Sequence, residues 1–231
     1  MAQRVRLFGT RVSPFVEKVV RALAVKHIAF ELVDIRSPRD FARWNPQTRK
    51  MPVLEADGER TYDSTFILRR LDRMVPAPPL FASDPRIAAA QRHLEDWADE
   101  SLYWYGMALR WTPTNAPATA AQILGSLSPA IRAIASLIVP RQLRAMTVAQ
   151  GLGRLPEDIL VRELGGVLDD LVILLGNTQF FCAGQLSAAD LALYGQFHML
   201  LSGPTPQAEA LLRARTGLID YMRRVEAATG S

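Results

Sequence analysis

The stretch that decides the fold is Leu7-Phe8-Gly9-Thr10-Arg11-Val12-Ser13-Pro14-Phe15-Val16-Glu17-Lys18-Val19. It follows a short β-like run at 5–8 and leads into apolar residues at helical spacing. Ser13 is a good N-cap and Pro14 suits the first helical position, so a helix is predicted to begin here. Residues 30–35 then predict a second strand. The chain therefore opens with a β-α-β unit, which favours a parallel strand pair.

Two more strands and a helix follow. Residues 52–55 and 60–62 flank an Asp57-Gly58 turn, which is the pattern of a β-hairpin. Asp63-Ser64 can then cap a helix with apolar residues on one side. The order β-α-β followed by β-β-α is typical of a thioredoxin-like domain, which we assign to residues 1–75.

The remainder of the chain differs from residues 1–75 in composition and in predicted secondary structure. Residues 76–85 hold four prolines and predict a semi-rigid linker. Beyond them the chain is rich in Ala and Leu, and no strand is predicted. The sequence predicts an all-helical domain over residues 86–231 and so an α/β plus all-α fold class. Helices are expected at about 85–110, 119–138, 140–151, 156–176, 187–201 and 207–228.

Composition excludes several classes of protein. Hydrophobic residues make up 49% of the 231 residues and charged residues 22%, which indicates a globular chain. The net charge of +4 does not arise from one basic block, so no nucleic-acid partner is expected. The three histidines and one cysteine are scattered, and no metal site is predicted. One cysteine allows no internal disulfide, and no secretory signal is recognised, so a cytoplasmic location is expected.

The most apolar segment, Ile131 to Val139, is too short to span a membrane and stops at Pro140. Its helical spacing suits burial, and only Arg132, Arg141 and Arg144 flank it. We therefore expect no membrane partner. A membrane-peripheral role is the weaker alternative.

Four motifs, in this order, make the chain similar to the glutathione transferase superfamily over nearly its whole length. Each is weak alone, and together they are specific for the fold. They are Leu7 to Val19, which resembles the active-site segment of the serine-type enzymes; Asn45-Pro46 to Leu54, around a cis-proline; Asp63 to Leu68, a turn before a helix; and Phe180 to Leu191, a capping-box helix start. A further stretch, Ala149 to Asp158, resembles the metaxin-related branch, whose members include scaffold and transport proteins.

Ser13 is the candidate catalytic residue. A helix N-terminus favours negative charge, so a thiol bound there would have its thiolate stabilised. The resemblance implies that this thiol is glutathione, acting as co-substrate, and that the Ser13 hydroxyl donates to its sulfur. The alternatives are a plain capping serine and activation by Thr10.

The Met51-Pro52 bond is the second candidate site. The resemblance favours a cis bond, which would turn the Met51 backbone toward a bound peptide such as glutathione. A trans proline at the start of a strand is the alternative. Lys50 matches a family lysine that would bind the glycine carboxylate. Arg39 and Arg43 are weaker candidates for the same role. The alternative is a solvent-exposed basic loop that binds no ligand.

Asp63 and Ser64 are expected to hold the γ-glutamyl end of glutathione. Asp63 would pair with its ammonium group, and Ser64, at a second helix N-terminus, would bind its carboxylate. The alternative is a simple helix cap.

Aromatic and sulfur-containing side chains suggest a pocket for an apolar co-substrate. In this fold the first long helix faces the thiol site, and core or dimer packing is the alternative role for its aromatic residues. The candidate pocket residues are Phe15, Tyr103, Trp104, Met107 and Trp111. Ser187 with Asp190 forms a capping box of structural value, and Cys182 is expected to be a buried, inert thiol.

The leading hypothesis is thus a glutathione transferase that conjugates glutathione to a small apolar electrophile or reduces peroxides. The absence of a cysteine near Ser13 disfavours thiol exchange. The alternative is a non-catalytic scaffold or a ligandin-like carrier, because fold does not fix function. The family also implies a homodimer. Convergence of Ser13, Met51, Asp63 and Ser64 on one place would favour glutathione binding.

Overall fold

The computed structural model describes residues 4–35, 37–125 and 127–230, and only the backbone of Pro38. Residues 1–3, included in the predicted first domain, lie outside this description. The chain divides into two compact units. The first unit comprises Met1–Asp96, Asn177–Gly195 and Tyr221–Ser231, and the second comprises Trp97–Gly176 and Gln196–Asp220.

The first unit contains a four-stranded mixed sheet of order β2-β1-β3-β4. Its strands are β1 (Val5–Phe8), β2 (Phe30–Val33), β3 (Val53–Ala56) and β4 (Glu59–Tyr62). Strands β1 and β2 are parallel, whereas β1 pairs with β3, and β3 with β4, in antiparallel fashion. This confirms the predicted order of elements and the thioredoxin-like fold.

The strand register aligns three chain segments at one edge of the sheet. Phe8, the last residue of β1, is opposite Val53, the first residue of β3, and Val53 is opposite Tyr62, the last residue of β4. The segments that adjoin these residues are 9–13, 51–52 and 63–64. All three therefore leave the sheet at the same edge.

Four helices accompany the sheet along the chain. They are α1 (Pro14–Val25), α2 (Pro38–Trp44), α3 (Ser64–Met74) and α4 (Pro85–Trp97). Helix α2 lies in a region for which only a loop around Asn45-Pro46 was predicted. It begins with a capping interaction in which the Ser37 backbone N–H donates to Asp40 Oδ2 over 2.8 Å. This short signal is easily missed in a seven-residue helix.

The proline-rich segment before α4 is anchored rather than free. Leu80 is fully buried, its N–H donates to Asp72 Oδ1 over 2.9 Å, and its carbonyl accepts from the Ala188 N–H over 2.8 Å. The first unit thus includes the start of the helix at 188–202 as well as the sheet. The compact units therefore follow different boundaries from the division at residues 76–85, which remains a sequence-based prediction.

The described part of the second unit is helical. Along the chain, the elements after α4 are a π-helical turn (Ala98–Leu102), α5 (Tyr103–Arg110), α6 (Ala116–Leu124), α7 (Pro129–Gln150), a 3₁₀ turn (Leu152–Arg154), α8 (Glu157–Leu175), α9 (Ala188–Ser202), α10 (Pro206–Arg213) and α11 (Thr216–Ala228). None of the helices in the described residues is both long enough and apolar enough to cross a membrane.

The predicted helix boundaries were wrong in two places. Helix α7 continues through Pro140, where a break was expected, and α6 instead ends at Leu124 before α7 begins at Pro129. Ser128-Pro129 provides the N-cap and first helical position of α7, a stronger start signal than Pro140 is a stop signal. The single helix expected at 207–228 is divided into α10 and α11.

Candidate functional site

The turn after β1 brings the chain to the N-terminus of α1. Gly9 has a φ of +148°, and its N–H donates to the Val33 carbonyl over 3.1 Å. A Cβ atom at Gly9 would lie 2.5 Å from Val16 Cγ2, so a side chain at this position would force α1 away from the turn. The close approach fixes where residues 10–13 leave the sheet.

Ser13 occupies the N-cap of α1 with extended backbone angles. Its N–H donates to the Thr10 carbonyl, and its carbonyl accepts from the Glu17 N–H, both over 3.0 Å. Its half-buried side chain makes no capping hydrogen bond. The hydroxyl is therefore not consumed by the helix, unlike that of a plain capping serine. Thr10, the other candidate, is exposed.

The Met51-Pro52 peptide bond is cis, as the family resemblance implied. The loop before it is held by Asn45, a buried side chain whose role was not predicted. The Asn45 amide donates to the Lys50 carbonyl over 2.9 Å and to Thr48 Oγ1 over 2.8 Å, and Asn45 Oδ1 accepts from the Thr48 N–H. Asn45 thereby positions the backbone next to Met51. The only sequence signal was the Asn45-Pro46 pair.

Asp63 and Ser64 form the N-terminus of α3. Asp63 has a φ of +73°, which is uncommon for a residue other than glycine, and its Oδ1 accepts from the Thr65 N–H over 2.9 Å. Its carboxylate is exposed, whereas Ser64 is buried. Helix capping, the alternative role, is therefore observed for one carboxylate oxygen of Asp63. Strained backbone of this kind is found at ligand-binding sites more often than elsewhere.

A buried ion pair lies behind Ser64. Lys18 Nζ is 2.6 Å from Glu95 Oε1 and 3.4 Å from both Ser64 Oγ and Thr65 Oγ1. Thr65 Oγ1 also donates to Glu95 Oε1 over 2.9 Å. The Ser64 hydroxyl accepts from a cation and keeps its own hydrogen for another acceptor, which suits it to bind an anion. Neither Lys18 nor Glu95 was predicted from the sequence, in which they lie 77 positions apart.

A second network surrounds the buried Glu17 carboxylate, close to Ser13 in sequence. Arg11 donates twice to the Glu17 carboxylate, over 2.8 and 3.0 Å, and Arg21 donates once over 2.8 Å. Burial alone would raise the pKa of Glu17, but the hydrogen bonds and charge of Arg11, and then Arg21, outweigh it and hold the pKa below its usual value. Arg21 also donates to the Tyr194 hydroxyl over 2.8 Å.

The candidate cations for the glycine carboxylate are all exposed. They are Lys50, Arg39 and Arg43. The Arg43 guanidinium stacks 4.4 Å from the Trp44 ring centre, whereas Lys50 lies directly before the cis bond. Lys50 is thus the candidate nearest to the cis bond in sequence, and its role stays a prediction.

The candidate pocket residues come from both units. Phe15 is half-buried in the first unit, and Tyr103, Trp104 and Met107 are half-buried on α5 of the second. Trp111 is only 1% exposed and packs with Ala120 and Leu124 in the interior of the second unit. Trp111 therefore has the alternative role, core packing. The structure gives no support for placing Trp111 in the lining of a pocket.

The two remaining predicted features concern residues 182–190. Burial first, and then the nearby charge of Asp190, raises the pKa of the half-buried Cys182 thiol, which disfavours a reactive thiolate. The capping box is confirmed, because the Ser187 N–H and hydroxyl both donate to Asp190 Oδ2 over 2.8 Å. In the described residues, no cluster of potential metal ligands is present.

Known proteins resemble this chain in sequence and in fold. Residues 7–79 match the family model of the glutathione S-transferase N-terminal domain. A glutathione transferase of Zea mays, GST 23, is 32% identical over 140 residues, which cover 57% of this chain. The match spans 63% of the maize protein's length, less than two thirds of it.

Two solved structures share the fold over almost the whole chain. The β-etherase LigF of Sphingobium sp. strain SYK-6 has a TM-score of 0.72 and 21% identity, covering 98% of this chain and 96% of that one. Rice GST1, solved in complex with glutathione, has a TM-score of 0.70 and 21% identity, covering 99% and 90%. The matched N-terminal domain and the maize relative make this chain similar to glutathione transferases, and the two structures show that it shares their fold.

Proposed function

We propose that this protein binds glutathione and transfers it to a small apolar electrophile. The observation that carries the proposal is the strand register, which makes the segments at 9–13, 51–52 and 63–64 leave the sheet at one edge. These segments contain the four residues whose convergence was the criterion for glutathione binding. The available Ser13 hydroxyl and the buried cation behind Ser64 support the same conclusion.

Each part of glutathione has a complementary group in the proposed site. The exposed Asp63 carboxylate pairs with the γ-glutamyl ammonium, and the Ser64 hydroxyl and the α3 N-terminus bind the γ-glutamyl carboxylate. The Met51 backbone forms the peptide-like contacts beside Pro52. Lys50 binds the glycine carboxylate. Phe15 supplies apolar surface for the co-substrate in the first unit, and Tyr103, Trp104 and Met107 stay candidates from the sequence.

Ser13 stabilises the attacking group. Its hydroxyl donates a hydrogen bond to the glutathione sulfur at the N-terminus of α1, which lowers the pKa of the thiol so that its proton is released to solvent. The thiolate then forms a carbon–sulfur bond with the electrophile. In a substitution reaction a leaving group departs with the bonding electron pair. In an addition reaction the displaced electron pair takes a proton from solvent. Proximity supplies much of the rate increase.

The residue type at position 13 restricts the reaction. A serine forms no mixed disulfide with glutathione, and Cys182, the single cysteine of the chain, has a raised pKa. The proposal therefore favours conjugation, with peroxide reduction by two glutathione molecules as the second activity, over thiol exchange. A homodimeric, cytoplasmic protein is the accompanying proposal, on the basis of the family and the absence of an internal disulfide.

The experiment is isothermal titration of glutathione into the parent protein and its Ser64→Ala variant. Binding in the micromolar to millimolar range, weakened by the substitution, is expected. Arg213→Gln, on an exposed side chain of α10, is the matched control and should leave the affinity unchanged. No heat at millimolar glutathione would rule out the transferase and favour the scaffold or carrier alternative, with the fold unaffected.

A further inference from the structure

Helix α7 presents a row of large apolar side chains to solvent, here called the apolar stripe. Its members are Ile131, Ile134, Leu137 and Ile138, which are 51%, 63%, 62% and 56% exposed. This segment was expected to be buried, and for these four residues that expectation was wrong. Single exposed aliphatic residues need no explanation, but four on successive turns of one helix mark an interaction surface.

The stripe cannot be buried by a small rotation of α7, because the other side of the helix is already occupied. Ala135, Val139 and Leu143, spaced four residues apart, pack against the cluster formed by Trp111, Ala120 and Leu124. This contact fixes the rotation of the helix about its axis. Helix α7 is therefore apolar on two sides, and the second unit covers only one of them.

The charges around the stripe are all of one sign. From Ser101 to Pro156 the sequence contains no Asp or Glu, and its charged residues are Arg110, Arg132, Arg141, Arg144 and Arg154. Three of these arginines are exposed on α7 itself. Arg144 donates to the Trp111 carbonyl over 3.1 Å, and Arg141 donates to the Leu137 carbonyl, so both lie along the helix that carries the stripe. The partner must accept apolar contact flanked by positive charge.

This combination distinguishes between possible partners. A second copy of the chain, placed face to face, would bring arginines against arginines with no carboxylate on α6 or α7 to pair with them. The stripe also lacks the aromatic side chains and hydrogen-bonding groups that usually anchor a specific protein partner. An anionic bilayer surface accepts aliphatic side chains at the level of the acyl chains and attracts arginines at the level of the headgroups.

We propose that α7 binds the surface of anionic membranes, with its axis parallel to the bilayer and the apolar stripe inserted at the headgroup boundary. Binding is reversible, because four aliphatic side chains and three arginines provide a modest combined affinity. Each exposed arginine near the surface contributes roughly a fivefold increase in partitioning. The proposal does not depend on glutathione binding, since it concerns only lipid and the second unit.

The test is co-sedimentation of the full chain with vesicles of phosphatidylcholine alone or mixed with phosphatidylglycerol. Binding to the anionic vesicles is expected, weakened by added salt, with little binding to the neutral ones. The Ile134→Ser/Leu137→Ser double variant should lower the partition coefficient by about tenfold or more. Arg132→Gln/Arg141→Gln should lower it through charge alone and flatten the salt dependence.

Helix α8 offers a matched control. Ile173 and Leu174 are 76% and 67% exposed but lie close in sequence to Asp169 and Asp170. Ile173→Ser/Leu174→Ser should leave vesicle binding unchanged. Circular dichroism of each variant checks that the helices are intact, which is expected because the substituted residues are exposed.

Three results would overturn the proposal. The first is a parent protein that does not sediment with anionic vesicles, and the second is an equal loss of binding in the stripe and α8 variants. The third is a stripe variant that becomes monomeric in sedimentation velocity while neither protein binds lipid, which would assign the stripe to a second copy. In the first case, a complex with an acidic protein that needs the stripe would assign the stripe to that protein.

Discussion

Helices α1 and α7 depart from the usual distribution of polar and apolar side chains in opposite directions. Helix α1 and its C-cap bury four charged side chains, Glu17, Lys18, Arg21 and Lys26, each at most 5% exposed. Helix α7 exposes four large aliphatic side chains, each at least 51% exposed. Charges are almost never fully buried unless they are paired, and exposed apolar stripes usually have a partner.

The difference is that α1 has its partners within its own unit. Glu95 pairs with Lys18, Arg11 and Arg21 pair with Glu17, and Asp72 pairs with Lys26. Paired buried charges act as a rigid framework beneath the segments at 9–13 and 63–64. The stripe on α7 has no such cover from its own unit. On the two proposals above, α1 holds the glutathione site in place and α7 contacts a membrane surface.

The largest expected effect comes from breaking the Lys18–Glu95 pair. Lys18→Met leaves the buried Glu95 carboxylate without its nearest cation and should lower the free energy of unfolding by about 3–5 kcal/mol. The double variant Lys18→Met/Glu95→Leu should recover most of this loss, because no unpaired charge remains. Urea denaturation of the three proteins measures both values.

The exposed pair Arg213–Glu209, one turn apart on α10 with its atoms 2.8 Å apart, provides the control. Arg213→Met should change the free energy of unfolding by less than about 0.5 kcal/mol. Equal losses in the free energy of unfolding for Lys18→Met and Arg213→Met would show that the buried α1 ion pair contributes no more to stability than an exposed pair. The contrast drawn between α1 and α7 would then be wrong.

Glu17 gives the next largest effect, and that effect depends on pH. Because Arg11 and Arg21 hold its pKa below the ordinary value of 4.5, the unfolded state binds more protons than the folded state between the two pKa values. The stabilisation is complete above about pH 4.5 and is lost as the pH falls through the lowered folded pKa. Glu17→Gln should therefore cost about 2 kcal/mol at pH 7 and progressively less below pH 4.5.

Unfolding of the parent and the Glu17→Gln variant across this pH range tests the prediction. The pKa of Asp190, raised to about 6 chiefly by burial, contributes in the opposite direction, but it is common to both proteins and cancels in their difference. Glu31→Gln, which affects an exposed ion pair with Arg4, should change the free energy of unfolding by less than about 0.5 kcal/mol. A Glu17→Gln deficit that is constant with pH would contradict the assigned cause.

How much of this could be predicted from the sequence depends on whether the signal is local. Ser13-Pro14, Asp57-Gly58 and the Ser187–Asp190 box each lie within a few positions, and the elements that they predict are present. The Lys18–Glu95 pair joins residues 77 positions apart, and no local pattern indicates it. Family resemblance supplied what propensity cannot, such as the cis bond before Pro52. The metaxin-like stretch remains a resemblance only.

The same limit explains the errors in the second unit. Pro140 was given more weight as a stop signal than Ser128-Pro129 as a start signal, although packing of Ala135 and Leu143 holds α7 on both sides of the break that was expected. Periodicity showed that residues 131–139 are helical and apolar. It gave no means of telling which of the two apolar sides is covered, because that depends on α6 and Trp111.

Ser13→Ala is expected to have a smaller free-energy effect, confined to activity. Loss of one hydrogen bond to a thiolate should reduce turnover with a model aryl halide by about tenfold and raise the pKa of the bound thiol. Stability should hardly change, because the Ser13 side chain makes no capping bond. Thiolate absorbance against pH and the rate are the measurements, with Thr10→Ala as the matched control. A stability loss without a rate loss would identify Ser13 as a cap only.

The smallest expected effect concerns the backbone of α7. Pro140 lies inside the helix, where it has no N–H to donate and its ring crowds the preceding turn. Pro140→Ala restores a hydrogen bond but also gives the unfolded chain more freedom, so the free energy of unfolding should rise by only about 1 kcal/mol. Pro129→Ala, at the first position of the same helix, should be neutral or slightly destabilising. Since both substitutions leave the apolar stripe intact, vesicle binding should be the same in both, and a loss confined to Pro140→Ala would mean that a bend in α7, and not the stripe alone, shapes the contact surface.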